Sequence, residues 1–150
     1  MTILETLRQA RTVAMVGVSP NPSRASYFVA TYLRADAPEF TVWYVNPRET
    51  EILGQPVYAS LADLPEPPDM VDVFRRTEDL PGVAEEAVAA GATTLWFQLG
   101  LRHDAAADLA RSAGLTVVQD KCLKIEHARY KGGLHTAGFD TGVISARRRL

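Results

Sequence analysis

With three histidines and one cysteine among 150 residues, the chain has little material for metal or redox chemistry. Cys122 has no second cysteine to pair with, so an intrachain disulfide is excluded. No apolar run approaches the length of a membrane span, and no secretory leader pattern opens the chain. A formal net charge of -2 gives no overall attraction to a polyanion. These absences set the expectation of a cytoplasmic protein with neither a membrane nor a nucleic acid as partner. Paired carboxylates, metal-ligand spacings and a Ser-His-Asp order do not rise above chance. The glycine count is also low where it matters. The stretch "GVSPNPSRAS", Gly17 to Ser26, follows the apolar run Val13 to Val16 and leads into a helical pattern. It has one glycine where the dinucleotide fingerprint G-x-G-x-x-G has three.

What is present suits one domain: 47% hydrophobic residues over this length can bury a single core. Charge is uneven. Residues 128–150 hold Arg129, Lys131, Arg147, Arg148 and Arg149 against Asp140, and read as a carboxy-terminal arm or tail with a solvated basic end. Residues 1–127 form the domain proper.

Thr2 and Glu5 fit a capping box, with Ile3, Leu4, Leu7 and Ala10 at helical spacing behind it. Short continuous apolar runs at 13–16, 41–45, 70–74, 94–98 and 116–118 read as strands, with a further short one at 56–58. Helical patterns lie between them: one following Ser23, one opened by Pro81 and closed by Gly91, and one from Asp104 to Ala113 capped by Asp104. Strands alternating with helices predict an α/β fold, a doubly wound parallel sheet of the Rossmann-like kind.

In such a sheet ligands bind beyond the carboxyl ends of the strands. Those ends read Gly17-Val18-Ser19, Asn46-Pro47-Arg48, Phe74-Arg75-Arg76, Gln98-Leu99-Gly100 and Gln119-Asp120-Lys121-Cys122. Three of the five carry a basic residue, which favours an anionic ligand, although neighbouring acids such as Glu49, Glu51 and Glu78 are available to pair with them. Gly17 lets the backbone turn closely. Pro20 and Pro22 cannot donate, so Ser19, Ser23, Ser26 and Arg24, with the start of the following helix, must supply what backbone amides supply in a glycine-rich loop. An NAD site wants an acid after the second strand. Arg48 there suits a ribose phosphate instead, which leaves coenzyme A or NADP.

The segments "VGVSPNPSRASYFVATYL", "VNPRETEILGQPVYASLADLP", "VDVFRRTEDLP" and "LWFQLGLRHDAAADLARSAGLTVVQDKCLKIEH" together resemble the stand-alone CoA-binding domain proteins of bacteria and archaea. They are also similar to the amino-terminal domain of the succinyl-CoA synthetase alpha subunit. The resemblance covers about residues 10–127 and implies a Rossmann-like CoA-binding fold. It aligns Gly17, Val18, Ser19 and Pro20 with the turn that meets the nucleotide phosphates. Arg48 falls near the basic contact after strand two, and Phe74, Arg75 and Arg76 match the segment lining the CoA groove. Asp120-Lys121-Cys122 stands where the family commonly has Asp-Arg-Cys, and lysine is a point donor where arginine is a fork. The synthetases also need a phosphohistidine domain and a nucleotide-binding partner, which this sequence lacks.

The reading is therefore a domain that binds coenzyme A or an acyl-CoA through its pyrophosphate and adenosine, without catalysis of its own, and that could pair as a homodimer. The expected contacts are Gly17, Val18, Ser19, Pro20, Ser23, Arg24, Ser26, Asn46, Pro47, Arg48, Phe74, Arg75, Arg76, Gln98 and Gly100. An NADP-binding oxidoreductase-like protein and a CoA-sensing regulatory protein remain open alternatives. His103 reads as a solvated loop residue, His127 and His135 as non-catalytic, and Cys122 as a small buried hydrophobe.

Overall fold

A computed structural model describes residues 1–131. Helix α1 (Ile3–Gln9) starts with the expected capping box: the Thr2 hydroxyl accepts from the Glu5 N–H, and the Glu5 carboxylate accepts from the Thr2 N–H. The chain then runs through β1 (Thr12–Val16), α2 (Ala25–Asp36), β2 (Thr41–Val45), β3 (Glu51–Ile52), β4 (Gln55–Tyr58), β5 (Met70–Val73), α3 (Leu80–Ala89), β6 (Thr94–Phe97), α4 (Asp104–Ser112), β7 (Thr116–Val118) and α5 (Leu123–Lys131).

The seven strands form one sheet in the order β3-β4-β2-β1-β5-β6-β7. Every neighbouring pair is parallel except β3 with β4, an antiparallel hairpin on one edge. The expectation of a parallel, doubly wound sheet holds, with that one antiparallel strand added. The hairpin turn is Leu53-Gly54, both at positive φ. Leu53 accepts that conformation while its side chain packs on the core and its carbonyl accepts from Arg34 Nη1 at 2.6 Å.

Continuous apolar strands have a physical cause, since helices cover both faces. Ala14, Val16, Val71, Val73, Leu95 and Phe97 meet α3 and α4 on one side. Val13, Met15, Met70 and Trp96 meet α1, α2 and α5 on the other. Two helix starts differ from expectation. Helix α4 is capped by His103, whose Nδ1 accepts from the Ala106 N–H at 3.1 Å, so His103 is a cap and Asp104 the first helical residue. Helix α2 has Arg24 at its cap position with no side-chain cap bond, and the Ser23 hydroxyl instead donates to Asn21 Oδ1 at 2.9 Å. Helix α5 runs without a break through residues 127 and 128, the expected junction between domain and arm. His135 and the basic residues 147–149 lie outside the described residues.

Candidate functional site

The chain leaves β1 toward β2 on one side and later returns to place β5 on the other, so the strand order reverses between β1 and β5. At the carboxyl ends of that pair the backbones are locked together. The Phe74 N–H donates to the Val16 carbonyl at 2.8 Å, and the Gly17 N–H donates across to the Val45 carbonyl of β2 at 2.9 Å. Gly17 sits at φ +88°, and a Cβ placed there would lie 2.3 Å from the Phe74 carbonyl oxygen and 2.8 Å from Arg75 Cδ. Only glycine fits, for conformation and for space alike. The stem of Arg75 thus lies directly over the first turn of the loop.

Beyond Gly17 the loop is organised by side chains. The Ser19 N–H donates to the buried Ser26 hydroxyl at 2.9 Å, the Asn21 N–H to the Ser19 hydroxyl at 3.0 Å, and the Ser23 N–H to Asn21 Oδ1 at 3.0 Å. Val18 is fully buried and packs into the core. Pro20, Ser23 and Arg24 are exposed around the start of α2. After β2, the Asn46 amide donates to the Val18 carbonyl and its Oδ1 accepts from the Arg48 N–H, both at 2.9 Å. Asn46 therefore ties the β1 and β2 loops together. Pro47 and Arg48 are exposed, and Arg48 makes no ion pair among the described residues.

After β5 the arginines pair with acids. Arg75 Nη2 lies 3.3 Å and Arg76 Nε 3.5 Å from the same oxygen, Asp79 Oδ2, and Arg76 Nε lies 3.6 Å from Glu78 Oε2. Burial alone would raise the Asp79 carboxyl, but the two guanidiniums outweigh it and hold its pKa below the ordinary value. Gly17, Ser19, Ser26, Asn46, Phe74 and Arg75 are thus brought together at the switch point, with Arg48 on one flank and Arg76 on the other. Asp79 escaped the sequence reading, although its spacing of three and four residues from the arginines signals it.

Gln98 and Gly100 stand further along the same sheet edge. Gln98 is buried: its amide donates to the Lys121 carbonyl at 3.4 Å and its Oε1 accepts from the Leu123 N–H at 3.3 Å. The Gly100 N–H donates to Asp120 Oδ1 at 2.7 Å. Both therefore knit the β6 and β7 loops, and the Trp96 indole N–H donates to the same Lys121 carbonyl at 2.8 Å. Cys122, half-buried, precedes α5 and packs against the core. His127 is buried away from the sheet edge, with Nδ1 2.7 Å from the Tyr32 hydroxyl and Nε2 2.6 Å from Glu39 Oε2, a link between α5 and the end of α2.

Arg48 on one flank of the switch point and Arg75 and Arg76 on the other are the cations nearest to it, and comparison with known proteins gives the family. Residues 11–128 match the family described as CoA binding domain. The chain belongs to that family. It is 40% identical over 126 residues to YneT of Bacillus subtilis, described as uncharacterized, a match spanning 84% of this chain and 92% of that one. A hypothetical protein from Pyrococcus horikoshii shares the fold at a TM-score of 0.80 and 35% identity, covering 85% of this chain and 88% of the other. An ADP-forming acetate–CoA ligase of Archaeoglobus fulgidus is 32% identical over 83 residues, or 55% of this chain. That match spans only 12% of the ligase, so the CoA-binding family member described here corresponds to a small part of it. Among the described residues no helix is long and apolar enough to cross a membrane, and no cluster of histidine, cysteine and carboxylate side chains could hold a metal ion.

Proposed function

We propose that the chain binds coenzyme A or an acyl-CoA in the crevice between the β1 and β5 ends, holding the ligand without transforming it. In this reading the pyrophosphate lies over the Gly17 turn, close to the start of α2. That helix presents amino-terminal N–H groups with no side-chain cap to compete for them. Ser19 and Arg24 border this position, and Arg75 and Arg76 face it from β5. The adenosine, with its ribose phosphate, extends toward β2 and Arg48, while the pantetheine arm runs toward the β6 loop at Gln98 and Gly100.

The observation that carries the reading is Arg48: an exposed guanidinium with no ion pair among the described residues, held by the Asn46 turn where an NAD site has an acid. A free cation there suits a phosphate on the ribose. A charge-assisted hydrogen bond of this kind is worth roughly 1.5–3 kcal/mol, so Arg48→Ala should weaken CoA binding by about ten- to a hundredfold. Dephospho-CoA, which lacks that phosphate, should lose almost nothing. Calorimetric titration of both ligands against both proteins tests the assignment. Equal losses would move the ribose phosphate to another arginine. Binding of NADP by the unaltered protein with no binding of CoA would replace the reading altogether.

A further inference from the structure

We propose that Asp79 is a positioning residue for the diphosphate of the ligand, an inference that rests on the CoA reading above. Arg75 spans the crevice: its stem meets Gly17, where Cδ would be 2.8 Å from a Cβ, and its Nη2 reaches Asp79 Oδ2 at 3.3 Å. Arg76 comes to the same oxygen through Nε at 3.5 Å. One carboxylate oxygen thereby draws two flexible cations to one place. Each guanidinium has five N–H donors, and Asp79 engages only one on each. The remaining donors stay available to phosphate oxygens.

Asp79 is itself well placed to act as an anchor. It closes the 3-10 turn Thr77–Asp79, with its N–H donating to the Arg76 carbonyl at 2.9 Å, so its backbone is fixed relative to the arginines it holds. Its side chain makes no capping bond to α3. The hydrogen bonds of the carboxylate are therefore spent on the arginines, although Asp79 stands at the N-cap position of α3, where its charge also meets the positive end of that helix. A carboxylate beside a phosphate site also lowers the net positive charge there. Its worth lies in order: arginine side chains already immobilised lose less freedom when a ligand arrives.

The test is titration of the unaltered protein, Asp79→Ala and Asp79→Asn with CoA, dephospho-CoA and adenosine 3′-monophosphate. The first two probes carry the diphosphate and the third does not. Asp79→Ala should weaken CoA and dephospho-CoA by the same factor, about two- to tenfold, because Arg75 loses its only ion pair among the described residues while Glu78 still holds Arg76, and should leave adenosine 3′-monophosphate unchanged. Asp79→Asn, isosteric and still able to accept from both arginines through its one carbonyl oxygen but without the charge, should show a smaller loss with the same pattern, and it carries the test if the alanine variant folds poorly. Unchanged or tighter CoA binding in both variants overturns the proposal, because Asp79 would then be idle or a competitor of the ligand. A loss shared by adenosine 3′-monophosphate also overturns it. Failure of the unaltered protein to bind CoA is a separate result, which removes the CoA reading and this inference with it.

Discussion

Asp72 carries two carboxyl oxygens that meet no hydrogen-bond donor, in the middle of β5 and with no exposed surface. Alternation along the strand puts it on the face of Met70, level with Met15 of β1 and Trp96 of β6. Burial pushes its pKa well above the ordinary range, which favours the neutral form in the folded protein. The unfolded chain ionises it near pH 3.9. Its contribution to stability is therefore fully present below that pH and is lost as the pH rises toward the folded-state value. Urea unfolding at a series of pH values should show Asp72→Asn gaining on the unaltered protein as pH increases above about 4, by up to about 1.4 kcal/mol per unit. Asp72→Val, which removes the orphan oxygens altogether, should be more stable by about 1–3 kcal/mol at neutral pH. A pH-independent difference between Asp72→Asn and the unaltered protein would falsify the assignment of a neutral carboxyl. The residue gave no such signal in the sequence, because an acid inside an apolar run looks the same whether it is solvated or sealed.

At the scale of elements, the β1 turn shows how strand and loop constrain each other. Gly17 and Gly54 both have positive φ, but a Cβ at Gly54 would meet nothing within 4 Å, whereas one at Gly17 would strike the Phe74 carbonyl and the Arg75 stem. Gly54→Ala should lose only the conformational cost, roughly 1–2 kcal/mol. Gly17→Ala should lose more, and should lose CoA binding too, because the β1 and β5 ends must separate to admit the methyl group. Unfolding free energies of the two variants, set side by side, isolate the clash. Strands β1, β2, β5, β6 and β7 were legible because each is a continuous apolar run in a sheet covered on both faces, and the capping box of α1 was legible because its two side chains sit three residues apart. Strand β3 was not, since two residues carry no period and the hairpin depends on Leu53 taking an unfavourable φ that tertiary packing supports. The His103 cap was hidden for another reason: Asp104, a commoner capping residue, stands next to it. Among the candidate site residues, Asn46 and Gln98 were rightly placed at strand ends, but their side chains spend their hydrogen bonds on neighbouring loops, which no spacing rule reveals.

For the whole molecule, a ligand that bridges the β1, β2 and β5 loops binds only the folded state. CoA at about 100 times its dissociation constant should add roughly 2.7 kcal/mol of stability. In a chain of 150 residues that is a rise of about 5–11 °C in melting temperature. Differential scanning fluorimetry with CoA and NADP in parallel measures it, and a shift with NADP alone would contradict the proposed ligand.

The central position of β1 has a consequence for how the chain assembles. The strand that emerges first pairs with β2 soon afterwards, but its other neighbour, β5, begins only at Met70. Joining β1 to β5 closes a long loop, and such non-local pairings are slow to form. An early assembly of β1, α2, β2 and the β3–β4 hairpin would already contain the Gly17 turn and Arg48. It would lack the opposite wall, with Arg75, Arg76 and Asp79. Helix α5, which packs on α1 and α2, arrives later still. Nascent chains emerging from the ribosome should thus pass through a stage that holds the Gly17 turn without its β5 wall, and under the proposed function ligand capture would mark the completion of folding.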